Sequence, residues 1–87
     1  MTIKYSNLFV RHLNERIRPF PKLMRELQDS VTLFTLSPED PSLKDHQLTG
    51  EKSEYRAFSV TDDIRVIYKI FNDLIIFYDI GSHDQVY

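Results

Sequence analysis

Gly81-Ser82-His83-Asp84-Gln85-Val86-Tyr87 follows directly on an apolar run and puts a histidine and a tyrosine where a chain end would ordinarily fray. Histidine, with an ordinary pKa of about 6.5, suits proton transfer, and tyrosine joins an apolar ring to a hydroxyl. Together they predict a site built at the end of a sheet. Arg56 and Arg65 fall inside two other strand-like runs, and a strand centre is a costly place for charge without a task.

The elements that must position these residues are readable from periodicity. Thr2 to Tyr5 reads as a short strand, and Ser6 as the N-cap of a helix whose apolar positions Leu8, Phe9, Leu13 and Ile17 recur at helical spacing, up to Pro19. Pro21 suits the first turn of a second helix with Leu23, Leu27, Val31 and Phe34 on one face, and Pro38 and Pro41 enforce a loop. After Gly50 the pattern becomes strand-like: Tyr55 to Val60, Ile64 to Phe71 and Leu74 to Ile80 are rich in β-branched and aromatic residues, with turns at Thr61-Asp62-Asp63 and Asn72-Asp73. Helices first and strands afterwards predict an α+β fold. Two N-terminal helices pack on one face of a small, mostly antiparallel twisted sheet, and the open face carries the site.

Pairing parity decides which side chains share that face. An even number of loop residues at Thr61/Asp62 sets Arg56 and Phe58 on the same face as Arg65, because opposed residues of an antiparallel pair point the same way. A strict two-residue turn at Asn72-Asp73 pairs Arg65 with Ile80 and sends His83 to the opposite face. A glycine in a strand often marks a bulge, so a bulge or bend at Gly81 is expected to bring His83 beside Arg65.

Composition bounds the rest. Eighty-seven residues, 41% apolar and 28% charged, are expected to form one domain, residues 1–87. The absence of cysteine removes disulfides and thiolate chemistry and fits a reducing compartment. The start lacks a signal-peptide pattern and no run reaches the roughly 18 apolar residues of a membrane span, so a soluble, cytoplasmic protein with no membrane partner is expected. A net charge of −2 and a pI near 5.8 argue against indiscriminate nucleic-acid binding, although Arg11, Arg16, Arg18, Lys22 and Arg25 make the first third basic. His12, beside Arg11 and Asn14, reads as a surface helix residue. Three dispersed histidines without ligand spacing predict no metal site, and no cofactor is expected.

The ordered set Leu43-Lys44-Asp45-His46-Gln47-Leu48-Thr49-Gly50, Tyr55-Arg56, Ile64-Arg65-Val66-Ile67-Tyr68 and Ile80-Gly81-Ser82-His83-Asp84-Gln85-Val86-Tyr87 resembles the RelE/ParE superfamily of bacterial toxins. It is most similar to the RelE and YafQ-like messenger-RNA interferases of type II toxin–antitoxin systems. The resemblance spans nearly the whole chain, with its motifs in the second half. It implies a toxin that cleaves messenger RNA in the ribosomal A site and a separately encoded antitoxin that silences it in a hetero-oligomer. It further implies catalytic roles for His46, Asp63 and His83, phosphate contact by Arg65 of the Arg-x-x-Tyr strand, and a basic contact at Arg56, with Lys52 as a further RNA contact. Tyr87 matches the aromatic that stacks on or positions substrate. Ser59 stands where YafQ-like relatives carry a further histidine, and Ile64 replaces an aromatic.

These residue types fit metal-independent RNA cleavage. That reaction needs activation of a 2′-hydroxyl, stabilisation of charge on the phosphate and protonation of the departing 5′-oxygen. Arg65 and Arg56 can supply charge-assisted hydrogen bonds to the phosphate, His83 and His46 can carry protons, and Asp63 can orient a histidine or act as base. Two alternatives come from the same superfamily: a ParE-like inhibitor of DNA gyrase, which the histidines and Tyr87 speak against, and a catalytically weakened relative serving as a binding or co-repressor module.

Overall fold

The computed structural model describes residues 2–87, and it joins both halves of the chain through one five-stranded sheet. Strand β1 (Thr2–Tyr5) leads into α1 (Asn7–His12), capped by the Ser6 hydroxyl, which accepts the Phe9 N–H. The helix continues as a π turn over Leu13–Ile17, closed by the Arg18 N–H on the Leu13 carbonyl at 2.8 Å. Helix α2 (Pro21–Leu36) starts with proline in its first turn. The sheet then builds from β2 (His46–Gln47), β3 (Arg56–Ser59), β4 (Ile64–Phe71) and β5 (Leu74–Ser82), and the one-turn helix α3 (His83–Val86) ends it.

Strand order is β1-β5-β4-β3-β2, with β1 parallel to β5 and every other pair antiparallel. Both helices cover one face. Phe9, Ile17, Leu27 and Phe34 meet Phe58, Val66, Tyr68, Ile75, Phe77 and Ile80 there, and stacked Phe34 and Phe58 rings, 4.7 Å apart, lie at its centre. The α+β fold with helices on one face therefore holds. The two-residue strand β2 adds an edge that a propensity reading does not find, since two residues carry no period.

Five residues separate the paired Ser59 and Arg65, an odd number, so the parity expectation for the arginines is corrected. Arg56 opposes Tyr68 and Phe58 opposes Val66 on the helix side, whereas Arg65 opposes Ser59 on the other face. The helix-side location gives Arg56 a different task. Its Nε and Nη2 donate to Asp45 Oδ1 at 2.8 and 2.6 Å, and the Tyr68 hydroxyl donates to Asp45 Oδ2. The hydrogen bond to Asp45, with a smaller contribution from its charge, raises the Arg56 pKa. Burial, reinforced by the bond to Asp45, pushes the Tyr68 phenol far above its ordinary value, with Arg56 opposing.

A phenol whose pKa is raised on folding keeps its proton in the native state after the unfolded chain has released it. Its contribution to stability is complete below the unfolded value and is lost as pH rises through the folded one. Urea titrations are therefore expected to show stability falling above about pH 10. Tyr68→Phe should lose about 1.5–3 kcal/mol near neutrality, the range for a hydrogen bond to a charged group, and show a shallower alkaline decline. An unchanged alkaline decline would show that Tyr68 titrates as it does in the unfolded chain.

Candidate functional site

The sheet face away from the helices carries its own small core. Leu48, Ala57, Ile67 and Val86 are buried together with Tyr55 packed against them. His46 pairs with Ala57, and Ile67 with Ala57 and Asp79, so His46 and Arg65 project from the same side as this core. Alternation along the chain then links two jobs: Asp45 is clamped by Arg56 and Tyr68 on the helix side, and the next residue, His46, is turned to the other.

Helix α3 supplies the opposite wall. The Ser82 hydroxyl accepts the Gln85 N–H at 3.3 Å while Gln85 Oε1 accepts the Ser82 N–H at 2.8 Å, a reciprocal capping box. The His83 N–H donates to the Asp63 carbonyl at 3.1 Å, tying the first residue of α3 to the β3–β4 turn. At the other end Lys52 Nζ donates to the Val86 carbonyl at 2.6 Å. Val86 drops into the small core and Tyr87 turns over the cleft.

His46, Gln47, Leu48, Thr49, Lys52, His83 and Tyr87 line an open cleft of about 420 Å³. The Tyr87 ring stands edge-on to both imidazoles, with centroids 4.5 Å from His83 and 6.3 Å from His46. His46 Nδ1 lies 2.9 Å from the Lys44 carbonyl, which can only accept, so Nδ1 carries the proton and Nε2 of the neutral ring is left as a base. Asp84 Oδ1 lies 3.6 Å from His83 Nδ1. Burial raises the Tyr87 phenol and the Arg65 guanidinium opposes the rise, so the hydroxyl keeps its proton at neutral pH and can donate a hydrogen bond. Arg65 Nη1 donates to the Thr61 carbonyl at 2.9 Å, and the Thr61 hydroxyl accepts the Asp63 and Ile64 N–H groups, so one threonine shapes the turn and aims the arginine.

His46, His83, Tyr87, Lys52 and Arg65 thus gather on one face, and Arg56 does not join them. Asp63 meets His83 through its backbone carbonyl, and the carboxylate beside the ring is that of Asp84. The expected bulge exists at a different residue. Ile67 opposes Asp79 while Tyr68 opposes Phe77, leaving Tyr78 as the extra residue, and the ladder runs regularly from Asp79 through the Arg65–Gly81 and Ile64–Ser82 pairs. His12 is corrected as well: its Nδ1 bonds Asp79 Oδ1 at 2.5 Å, largely out of solvent. Asp84 and Gln85 join the site without having been singled out, and Ser82-x-x-Gln85 was the signal for the helix start. Among the described residues no group of three histidine, aspartate or glutamate side chains could hold a metal ion, and no helix is long and apolar enough to cross a membrane.

The model of the family described as "Bacterial toxin of type II toxin-antitoxin system, YafQ" matches residues 1–87. YafQ from E. coli strain BL21(DE3) is similar in structure, with a TM-score of 0.84 and 28% identity over 98% of this chain and 96% of that one. YafQ in the E. coli DinJ–YafQ toxin–antitoxin complex superposes with a TM-score of 0.82 and 29% identity over 98% and 94% of the two chains. A YoeB/ParE toxin from Agrobacterium tumefaciens shares the fold at a TM-score of 0.79 and 14% identity, over 95% and 99%. Comparison with curated proteins yields no match.

The capping box makes α3 sensitive to one hydroxyl. Ser82→Ala removes a cap worth about 0.5–2 kcal/mol, comparable to the stability of a single turn. The His83 ring protons, ring-current shifted by Tyr87 in the intact protein, are expected to move toward their random-coil positions in proton NMR spectra. Unmoved resonances would mean that α3 is held without its cap.

Proposed function

The chain belongs to the YafQ family of bacterial toxins of type II toxin–antitoxin systems, and on that premise we propose that it is a ribosome-dependent endoribonuclease that cleaves messenger RNA in the A site without a metal. The observation that carries this reading is the pair of imidazoles facing one tyrosine across an open cleft, His83 at 4.5 Å and His46 at 6.3 Å from the Tyr87 ring. Two proton carriers on opposite sides of a reacting group are what in-line displacement at a phosphate requires.

His46 Nε2 takes the proton of the 2′-hydroxyl as the 2′-oxygen bonds to phosphorus. The bond from phosphorus to the 5′-oxygen breaks, and protonated His83 gives its proton to the departing oxygen. The products are a 2′,3′-cyclic phosphate and a 5′-hydroxyl. Arg65 faces the phosphate and gains strength as negative charge builds there. Tyr87 stacks on or hydrogen-bonds the nucleotide. Lys52 holds α3 through Val86 while lending its charge to the cleft wall, and Asp63 acts through the backbone of its turn. The message, positioned by the ribosome in the cytoplasm, completes the geometry.

A silencing antitoxin, bound in a hetero-oligomer, is part of this reading, supported by the DinJ–YafQ complex of E. coli. Mapping new RNA 5′ ends after induction in cells tests the whole. Cleavage within translated codons should fall about 10²- to 10⁴-fold in His83→Ala and in His46→Ala. With purified ribosomes the pH–rate profile should be bell-shaped, losing its acid limb in His46→Ala and its alkaline limb in His83→Ala. Growth arrest that survives both substitutions and is accompanied by DNA-damage signalling would favour gyrase inhibition instead.

A further inference from the structure

Outside the cleft, His12, Arg16 and Asp79 form a compact charged group between the first helix and the bulged end of β5. Asp79 is 8% exposed, a depth at which a carboxylate needs partners. Its Oδ1 accepts from His12 Nδ1 at 2.5 Å and from the Ile80 N–H at 2.8 Å, and Arg16 Nη1 stands 3.8 Å away. The π turn over Leu13–Ile17 brings Arg16, four residues after His12, back to the same strand end.

The group reaches beyond its own charge balance. Pairing of β1 with β5 stops at Phe77, and past that point Arg16 Nη1 donates to the Ile80 carbonyl at 2.9 Å. A Cβ at Gly81 would stand 2.5 Å from the same Nη1 and 2.8 Å from Gln85 Oε1. The guanidinium and the Gln85 amide therefore share the space above the Gly81 Cα, a space that exists because residue 81 has no side chain. Gln85 Oε1 also accepts the Ser82 N–H that begins α3. A single helical turn does not persist by itself in water, so α3 depends on what packs at its foot.

We infer that Arg16, braced by Asp79 and His12, is a positioning residue for α3: it seats Gln85 over Gly81 and thereby sets where His83 and Tyr87 stand. Its consequence for RNA cleavage rests on the ribonuclease reading above, whereas its effect on α3 does not.

Hydrogen exchange on the purified full chain tests it. In Arg16→Ala the Gln85 and Tyr87 amides, which bond Ser82 Oγ and the His83 carbonyl, should exchange about tenfold faster, the scale of one lost hydrogen bond, while the Tyr68 and Phe77 amides stay as slow as before. Ribosome-dependent cleavage should drop in kcat by a similar factor with KM unchanged, and Arg16→Lys should recover part of both. If Arg16→Ala does not fold, Gly81→Ala intrudes on the same space from the strand and should loosen the same amides. Unchanged α3 exchange in the folded variant overturns the inference, as does a loss of cleavage without faster α3 exchange. Faster α3 exchange with undiminished cleavage would uphold the positioning role and remove His83 and Tyr87 from the chemistry.

Discussion

Tyr78, the extra residue in β5, sets the face on which the end of the chain acts. The tight turn pairs Phe71 with Leu74, and in that register Arg65 would oppose Ile80. The bulge advances the partner strand by one residue, so Arg65 opposes Gly81 and Ile67 opposes Asp79. Phe77 before the bulge and Ile80 after it can then both enter the helix-side core, fully buried although an odd number of residues apart. Everything downstream of Ile80 inherits the shifted phase, so α3 meets the open face beside Arg65, and Asp79 is turned to His12 and Arg16.

Two cores follow from that arrangement, and they have different duties. The larger one, between helices and sheet, is built of aromatic and aliphatic side chains and carries most of the buried apolar surface. The smaller one, Leu48, Ala57, Ile67 and Val86, joins the segment after β2 to β3, β4 and α3, and its Leu48 lines the cleft. The Asp45 cluster connects them, because Arg56 and Tyr68 grip the residue before His46 from the far side of the sheet. Charged groups that could have made a broad cationic surface are distributed instead. Arg56 is paired, Lys52 is bonded to α3, and Arg65 is left facing Tyr87.

Much of this is visible in the amino-acid order, and the errors are local ones. Helix faces at Leu23, Leu27, Val31 and Phe34, the Ser6 cap, Pro21 and the strands β3, β4 and β5 are legible because burial imposes a period over many residues. Face assignments are fragile because parity turns on a single residue: an odd connection after Ser59 sends Arg56 away, and the bulge lies three positions before the glycine that suggests it. A signal for the true position is present, since strict alternation from Ile75 and Phe77 would drive Asp79 into the apolar core, and a phase change before Ile80 avoids it. Ser82-x-x-Gln85 likewise announces a helix start directly at the end of an apolar strand. The partly buried His12–Asp79 pair joins residues 67 positions apart, and nothing in either local pattern reports it.

On the ribonuclease reading, His46 and Arg65, set on one face by the register of β2, β3 and β4, and His83 and Tyr87, delivered to that face by the bulge, carry out attack by the message's own 2′-hydroxyl. The chemistry of the new RNA ends tests this most directly. Messenger RNA cleaved on programmed ribosomes by the purified toxin should carry a 2′,3′-cyclic phosphate on the upstream fragment and a 5′-hydroxyl on the downstream one. A 5′-phosphate with a free 3′-hydroxyl would mean that water is the nucleophile and would contradict the account.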